Sequence, residues 1–208
     1  MKVLVIGASG KTGRLVVQKL LAQSQQIQAL VRREEAAAEL RALGAETVVA
    51  DLTGDVSHTL TGCNAVVFTA GAGMTGDPEE VDYRGAVKLM EAAEAQNISR
   101  FVMVSSLGTG YAERMPEMLK PYLGAKQKAE KVLEDSALEY TTVKPGGLTD
   151  AAGTGKVILA EVLAQSGRIS RADVTEIVAE VLLGKLALKT SFEVVSGDTP
   201  ISDALATL

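Results

Sequence analysis

The chain opens Lys2-Val3-Leu4-Val5-Ile6-Gly7-Ala8-Ser9-Gly10-Lys11-Thr12-Gly13, and the reading of this stretch decides the fold. Lys2–Ile6 is a short β-rich apolar run, as expected of a strand covered on both faces. After the glycines, Leu15, Val16, Leu20 and Leu21 lie on one helical face. In a strand–turn–helix unit of this kind each glycine has a task. Gly7 permits the tight turn, Gly10 lets the backbone approach a pyrophosphate, and Gly13 permits close packing of helix on strand. The helix N-terminus then offers free N–H groups and a partial positive charge to phosphate oxygens. Ser9 lies inside the turn, and Lys11 and Thr12 can add side-chain donors. The spacing is not that of a P-loop, because no Gly-Lys-Ser/Thr stands at the required place. The stretch predicts a dinucleotide-binding turn.

Outward from it, strands and helices alternate. Ile27–Val31, Glu46–Ala50, Ala65–Thr69, Arg100–Val104 and Tyr140–Val143 read as further strands, and Phe192–Val195 as a last, edge strand. Glu34–Leu43, stopped by Gly44 at the C′ position, reads as a helix, as does Val81–Gln96. A third helix carries Pro121 in its first turn and Ala129, Val132 and Leu133 inward. Val174–Leu183 is a fourth, capped by Ser170 with Asp173 three residues on. This order predicts an α/β fold: a doubly wound, mostly parallel Rossmann sheet with helices on both faces, in a single domain over residues 1–208. The irregular stretches Gly71–Asp77, Leu107–Lys120 and Thr149–Lys156 all follow strands, at the end where such sheets bind ligands.

The second strand ends Leu30-Val31-Arg32-Arg33, where folds that prefer NAD usually carry an acid. An arginine there can fork onto a 2′-phosphate and stack on adenine. Glu34 and Glu35 follow, and either could bind a ribose 2′-hydroxyl; the arginines make NADP(H) the expected cofactor and NAD(H) the less favoured alternative. Asp51-Leu52, after the third strand, stands where a side chain can bound the adenine.

These residues resemble the atypical, NAD(P)-binding branch of the short-chain dehydrogenase/reductase superfamily. The resemblance covers nearly the whole chain. Its landmarks are the glycine turn, Asp51-Leu52, Thr69-Ala70-Gly71-Ala72-Gly73, Asp82-Tyr83-Arg84-Gly85, Val104-Ser105-Ser106 and Lys144-Pro145-Gly146-Gly147-Leu148. The pattern is similar to NADPH-dependent flavin and biliverdin reductases of that branch and to NmrA-like proteins. The resemblance implies that Ala70-Gly71 pass under the adenine ribose and that Pro145-Gly146 border the nicotinamide, with Ala72 and Gly147 among the cofactor-binding residues. It also implies a Ser–Tyr–Lys set, in which Tyr exchanges a proton, Lys activates Tyr and binds the cofactor ribose, and Ser polarises a carbonyl.

Two pairs have the Tyr-x-x-x-Lys spacing. Tyr122 and Lys126 fall on a predicted helix, where four residues span roughly 6 Å. Tyr140 and Lys144 fall on a predicted strand, where the same spacing spans about 13 Å. The first pair is the candidate, with Ser106 as the serine and Ser105 as the alternative. Flavin reductases of this branch manage without the pair. His58, the only histidine, lies in a short connection away from the cleft, and no metal site is readable.

Composition narrows the function. Apolar residues make up 47% of the 208, enough for a substantial core. Trp is absent, aromatics are 3% and the net charge is −5, which argues against nucleic acid and anionic membranes as partners. Cys63 is the single cysteine and reads as a small core residue. The apolar run at the N-terminus is too short for a signal peptide or a membrane span, so a cytoplasmic location is expected. A monomer and a homodimer both fit the sequence. About forty residues separate Leu148 from the last strand, a minimal C-terminal substrate lobe. A small lobe suits a small or flat hydride acceptor, such as a flavin, a quinone or a simple carbonyl, better than a nucleotide sugar. The rival expectation is an NADP(H)-sensing regulatory or assembly protein with little or no turnover.

Overall fold

The structure is a computed structural model and describes residues 1–73 and 76–208. Its main sheet contains β1 (Lys2–Ile6), β2 (Gln26–Val31), β3 (Glu46–Val49), β4 (Ala65–Phe68), β5 (Arg100–Val104) and β6 (Glu139–Pro145). These six are parallel and stand in the order β3-β2-β1-β4-β5-β6. Chain direction across the sheet reverses between β1 and β4, which pair Ile6 with Phe68 at their carboxyl ends. A crevice opens beyond that point, and it is where such sheets bind dinucleotides.

Burial explains why these strands read as continuous apolar runs. Val3 and Val5 of β1 pack with α1 (Lys11–Ala22), α2 (Glu34–Ala42) and α5 (Arg171–Leu183) on one face. Leu4 and Ile6 point the other way, into a second core with α3 (Gly85–Ala95) and α4 (Lys120–Glu134). With side chains alternating between two covered faces, every position must be apolar. Gly44 ends α2 as expected: it takes φ +100°, and the N–H of Ala45 reaches back to the Leu40 carbonyl at 3.1 Å. Cys63 is buried, and burial pushes its thiol up.

The C-terminal part departs from expectation. The strand at Phe192–Val195 is β10 (Thr190–Ser196), and it is no edge: it pairs parallel with β6 and antiparallel with β8 (Lys156–Ala160). The sheet then ends on β11 (Thr199–Pro200), ahead of the short α6 (Ile201–Leu205). The lobe is a two-stranded ribbon of β7 (Gly147–Thr149) and β9 (Arg168–Ser170) leading into α5. Ser170 caps α5 by accepting from the Asp173 N–H at 2.9 Å. The helix expected from Val81 is preceded by one π-helical turn, Glu79–Arg84, which runs into α3. In the expected irregular stretch Gly71–Asp77, positions 74 and 75 lie outside the described residues.

Candidate functional site

The glycine turn has the expected form. Gly7 takes φ +78°, and a Cβ on Gly13 would stand 2.2 Å from the Gly7 carbonyl oxygen. Both positions therefore demand glycine for the fold. Gly10 differs: its φ is −74°, and a Cβ there meets only the Gly7 oxygen, at 3.1 Å. Gly10 is the N-cap of α1 and, among the described residues, no side chain caps this end, so the first amides of the helix are available to an anion.

Beside the turn lies a cavity of about 270 Å³. Gly7, Ser9 and Gly10 form one wall; Ala70, Gly71 and Ala72 another; Arg32, Asp51 and Leu52 the far end. Arg33, Lys11, Thr12 and Gly13 do not line it. Arg33 is instead the N-cap of α2, and Glu34 pairs with Arg41 on its own helix. Asp51 bounds the cavity with its carboxylate held by the backbone N–H and hydroxyl of Thr53, which keep it below the usual carboxylate range, and Arg32 adds to the effect. Lys11 turns away from the cavity and pairs with Asp150 at 2.6 Å.

A second cavity, of about 430 Å³, opens past the carboxyl ends of β5 and β6. Ser105, Ser106, Tyr122, Pro145, Gly146 and Gly147 all line it. The rest of its wall is largely apolar: Leu107, Met115, Leu119, Leu123 and Leu148. The connection 107–119 that supplies three of these consists of 3₁₀ turns and is anchored from beneath by buried Glu193, which accepts from the Gly108 N–H at 3.2 Å and the Leu163 N–H at 2.8 Å.

Tyr122 and Lys126 both lie on α4, which runs unbroken through Gly124. The Lys126 ammonium is 5.3 Å from the centre of the Tyr122 ring. It is buried rather than open to the cavity, and its partner is Asp82 Oδ1 at 3.1 Å. Burial works against the charge, but Tyr122, Asp82 and Glu130 outweigh it and hold the ammonium above its ordinary value. Asp82 sits in the π-helical turn, and its Oδ2 accepts from the Ala72 N–H at 2.8 Å. A continuous chain of contacts thus joins the Ala70–Ala72 wall to Lys126 and Tyr122.

One turn further along the same face of α4, buried Glu130 accepts from the Ser105 hydroxyl, from Thr109 Oγ1 at 3.0 Å and from Lys144 Nζ at 2.9 Å. The Ser105 proton is committed to this carboxylate. Ser106 donates only to the Leu107 carbonyl, at 3.3 Å. Sequence reading missed Glu130 and gave Asp82 no role of its own, although Tyr122, Lys126 and Glu130 stand at helical spacing and could have been read as one face. Tyr140 and Lys144 are on β6 with their side chains in different surroundings: Lys144 bonds Glu130, while Tyr140 lies near Glu134. His58 lies in a 3₁₀ turn, Ser57–Leu60, and lines neither cavity. Among the described residues no cluster of His, Cys, Asp and Glu could hold a metal, and no helix is long and apolar enough to cross a membrane.

Comparison with known proteins accords with this geometry. The NAD(P)H-binding family matches residues 7–185. The chain is 44% identical over its whole length to the uncharacterized sugar epimerase YhfK of Bacillus subtilis, which it covers completely. A solved structure from Bacillus halodurans, provisionally described as an NAD-dependent epimerase/dehydratase, superposes with a TM-score of 0.95 at 39% identity, with 100% of both chains covered. ChuY of Escherichia coli O157:H7, described as an anaerobilin reductase, superposes with a TM-score of 0.83 at 26% identity, over 95% of this chain and 98% of its own.

Proposed function

The chain belongs to the NAD(P)H-binding family, and from that premise we propose that it is an NADPH-dependent reductase passing hydride to a small or flat acceptor: a flavin, a quinone or a simple carbonyl. The observation that carries the reading is the second cavity. It lies past the carboxyl ends of β5 and β6, takes in Pro145-Gly146-Gly147, has a largely apolar wall, and collects Tyr122, Ser105 and Ser106 in one place. In this reading Pro145, Gly146 and Gly147 would hold the nicotinamide, which would supply a hydride to an acceptor in this cavity. Tyr122 supplies the proton to a reduced oxygen, and the Lys126 ammonium behind its ring favours departure of that proton. Ser106, whose hydroxyl is less engaged than that of Ser105, holds the acceptor oxygen. Arg32 contacts the 2′-phosphate and favours NADP(H) over NAD(H).

Epimerisation of a nucleotide sugar is the competing chemistry suggested by the names of two similar proteins. A nucleotide sugar brings a diphosphate, which calls for several cations. Among the described residues this cavity offers one, Arg171.

The test is single-turnover oxidation of NADPH with a panel of quinones, flavins and small aldehydes, on wild type and Tyr122→Phe. General acid catalysis contributes about 10²–10⁴-fold, so Tyr122→Phe slows carbonyl and quinone reduction by that order and leaves NADPH affinity unchanged. Flavin reduction, for which solvent can supply the proton, is barely affected. Turnover unchanged with every acceptor removes Tyr122 from the mechanism.

A further inference from the structure

Asp150 stands just after β7, and its carboxylate is shared. Oδ2 accepts from Lys11 Nζ at 2.6 Å, and Oδ1 from an Arg171 guanidinium nitrogen at 2.5 Å. Lys11 is the first residue of α1, beside the glycine turn; Arg171 is the first residue of α5 and lines the acceptor cavity. The three side chains are unequally placed: Lys11 is 68% exposed and Asp150 60%, but Arg171 only 20%. The hydrogen bond from Lys11, with Arg171 close by, keeps the Asp150 carboxyl below the usual carboxylate range, so it is ionised at neutral pH. Among the described residues Arg171 is the only charged side chain lining the cavity.

A lone guanidinium on a largely apolar wall has a limited set of uses. Its partner here is a carboxylate from an exposed connection, and exposed pairs of this kind contribute little because water and salt screen them. A ligand carboxylate or phosphate offers the same guanidinium a forked pair. Such a ligand also buries apolar surface against Leu107, Leu119 and Leu148, which the Asp150 carboxylate cannot do.

We propose that Arg171 recognises a single negatively charged substituent on the acceptor, a carboxylate or a phosphate on an otherwise flat, apolar molecule, and that Asp150 holds Arg171 until that substituent displaces it. The proposal rests on the reductase reading and narrows its substrate class.

Riboflavin and FMN share one ring system and differ by a phosphate, so they form a matched pair of probes. Their binding to the full chain is measured by calorimetry with the cofactor site filled by NADP⁺, and inorganic phosphate is titrated as a third arm. A charge-assisted contact is worth about tenfold or more, so FMN binds at least about tenfold tighter than riboflavin. Arg171→Gln brings FMN down to the riboflavin value and leaves riboflavin and NADP⁺ affinities alone. Asp150→Asn, which removes the competing carboxylate, tightens FMN several-fold without moving riboflavin. Equal affinity of the two flavins in wild type overturns the proposal, as does failure of both to bind. So does a loss of NADP⁺ affinity in Arg171→Gln, which assigns the arginine to the cofactor phosphates, or competition by inorganic phosphate as strong as that of FMN, which marks an isolated anion site. Turnover separates this failure from failure of the reductase reading. Equal binding with rapid NADPH oxidation by either flavin keeps the reductase and removes Arg171. Selective FMN binding with no oxidation keeps Arg171 and removes the reductase.

Discussion

In the proposed reading, cofactor recognition depends on Arg32 and the glycines of the turn. Of the Arg32-Arg33 pair, Arg32 lines the crevice beside the glycine turn and Arg33 does not. A forked contact to a 2′-phosphate is worth about 1.5–3 kcal/mol. Fluorescence titration is expected to give a preference for NADPH over NADH of on the order of ten- to a hundredfold, abolished in Arg32→Ala. Equal affinity in wild type would remove Arg32 from that role. The glycines separate binding from folding. A Cβ at Gly10 meets one atom at 3.1 Å, so Gly10→Val is expected to keep the fold and lose the cofactor. A Cβ at Gly13 would stand 2.2 Å from the Gly7 oxygen and 2.7 Å from Thr69 Oγ1, so Gly13→Ala must move backbone. Overpacking of this kind costs about 1–3 kcal/mol, and thermal melting of the two variants is expected to show Gly13→Ala as the less stable, although it adds the smaller side chain.

At the scale of elements, α4 and the π-helical turn form one unit. Tyr122, Lys126 and Glu130 lie on one face of α4; Asp82 of the π-helical turn meets that face at Lys126 and also holds the Ala72 N–H. The side chains of Lys126 and Asp82 are 5% and 0% exposed. Breaking such a pair from one side costs about 3–5 kcal/mol, because the other charge is left buried. Lys126→Met is therefore expected to lower Tm on the order of 10 °C, whereas Asp82→Asn, which leaves the Lys126 ammonium with the Glu130 charge still nearby, is the milder change. Equal and small losses in both would mean that the pair is hydrated. This unit was half legible in the sequence. The Tyr–Lys spacing and the Asp82-Tyr83-Arg84-Gly85 landmark were visible, but that they meet depends on how α3 and α4 pack side by side, which no local pattern encodes. The same holds for the lobe. The strands β1, β2, β4 and β5 announce themselves because both their faces are buried, while β8, with Lys156 and Ile158 exposed, and the three-residue β7 and β9 carry no such signal. For that reason Phe192–Val195 reads as an edge in the sequence and is interior in the sheet.

At the scale of the whole molecule, the two cavities follow one another along the carboxyl ends of the strands. The first joins the glycine turn to Arg32, and the second joins Pro145 to Tyr122 and Arg171. In the proposed reading an extended dinucleotide would bridge them with its nicotinamide at the apolar chamber, which is the arrangement a reductase needs. A cofactor-sensing protein shares the first cavity and has no need of the second. The measurement that decides between them is single-turnover oxidation of NADPH by wild-type protein, repeated with NADPH deuterated at the transferred position of the nicotinamide. A reductase oxidises the bound cofactor only when an acceptor is added, and the deuterated cofactor reacts more slowly, by a primary isotope effect on the hydride step. Tight NADPH binding with no oxidation by any quinone, flavin or aldehyde would contradict the account.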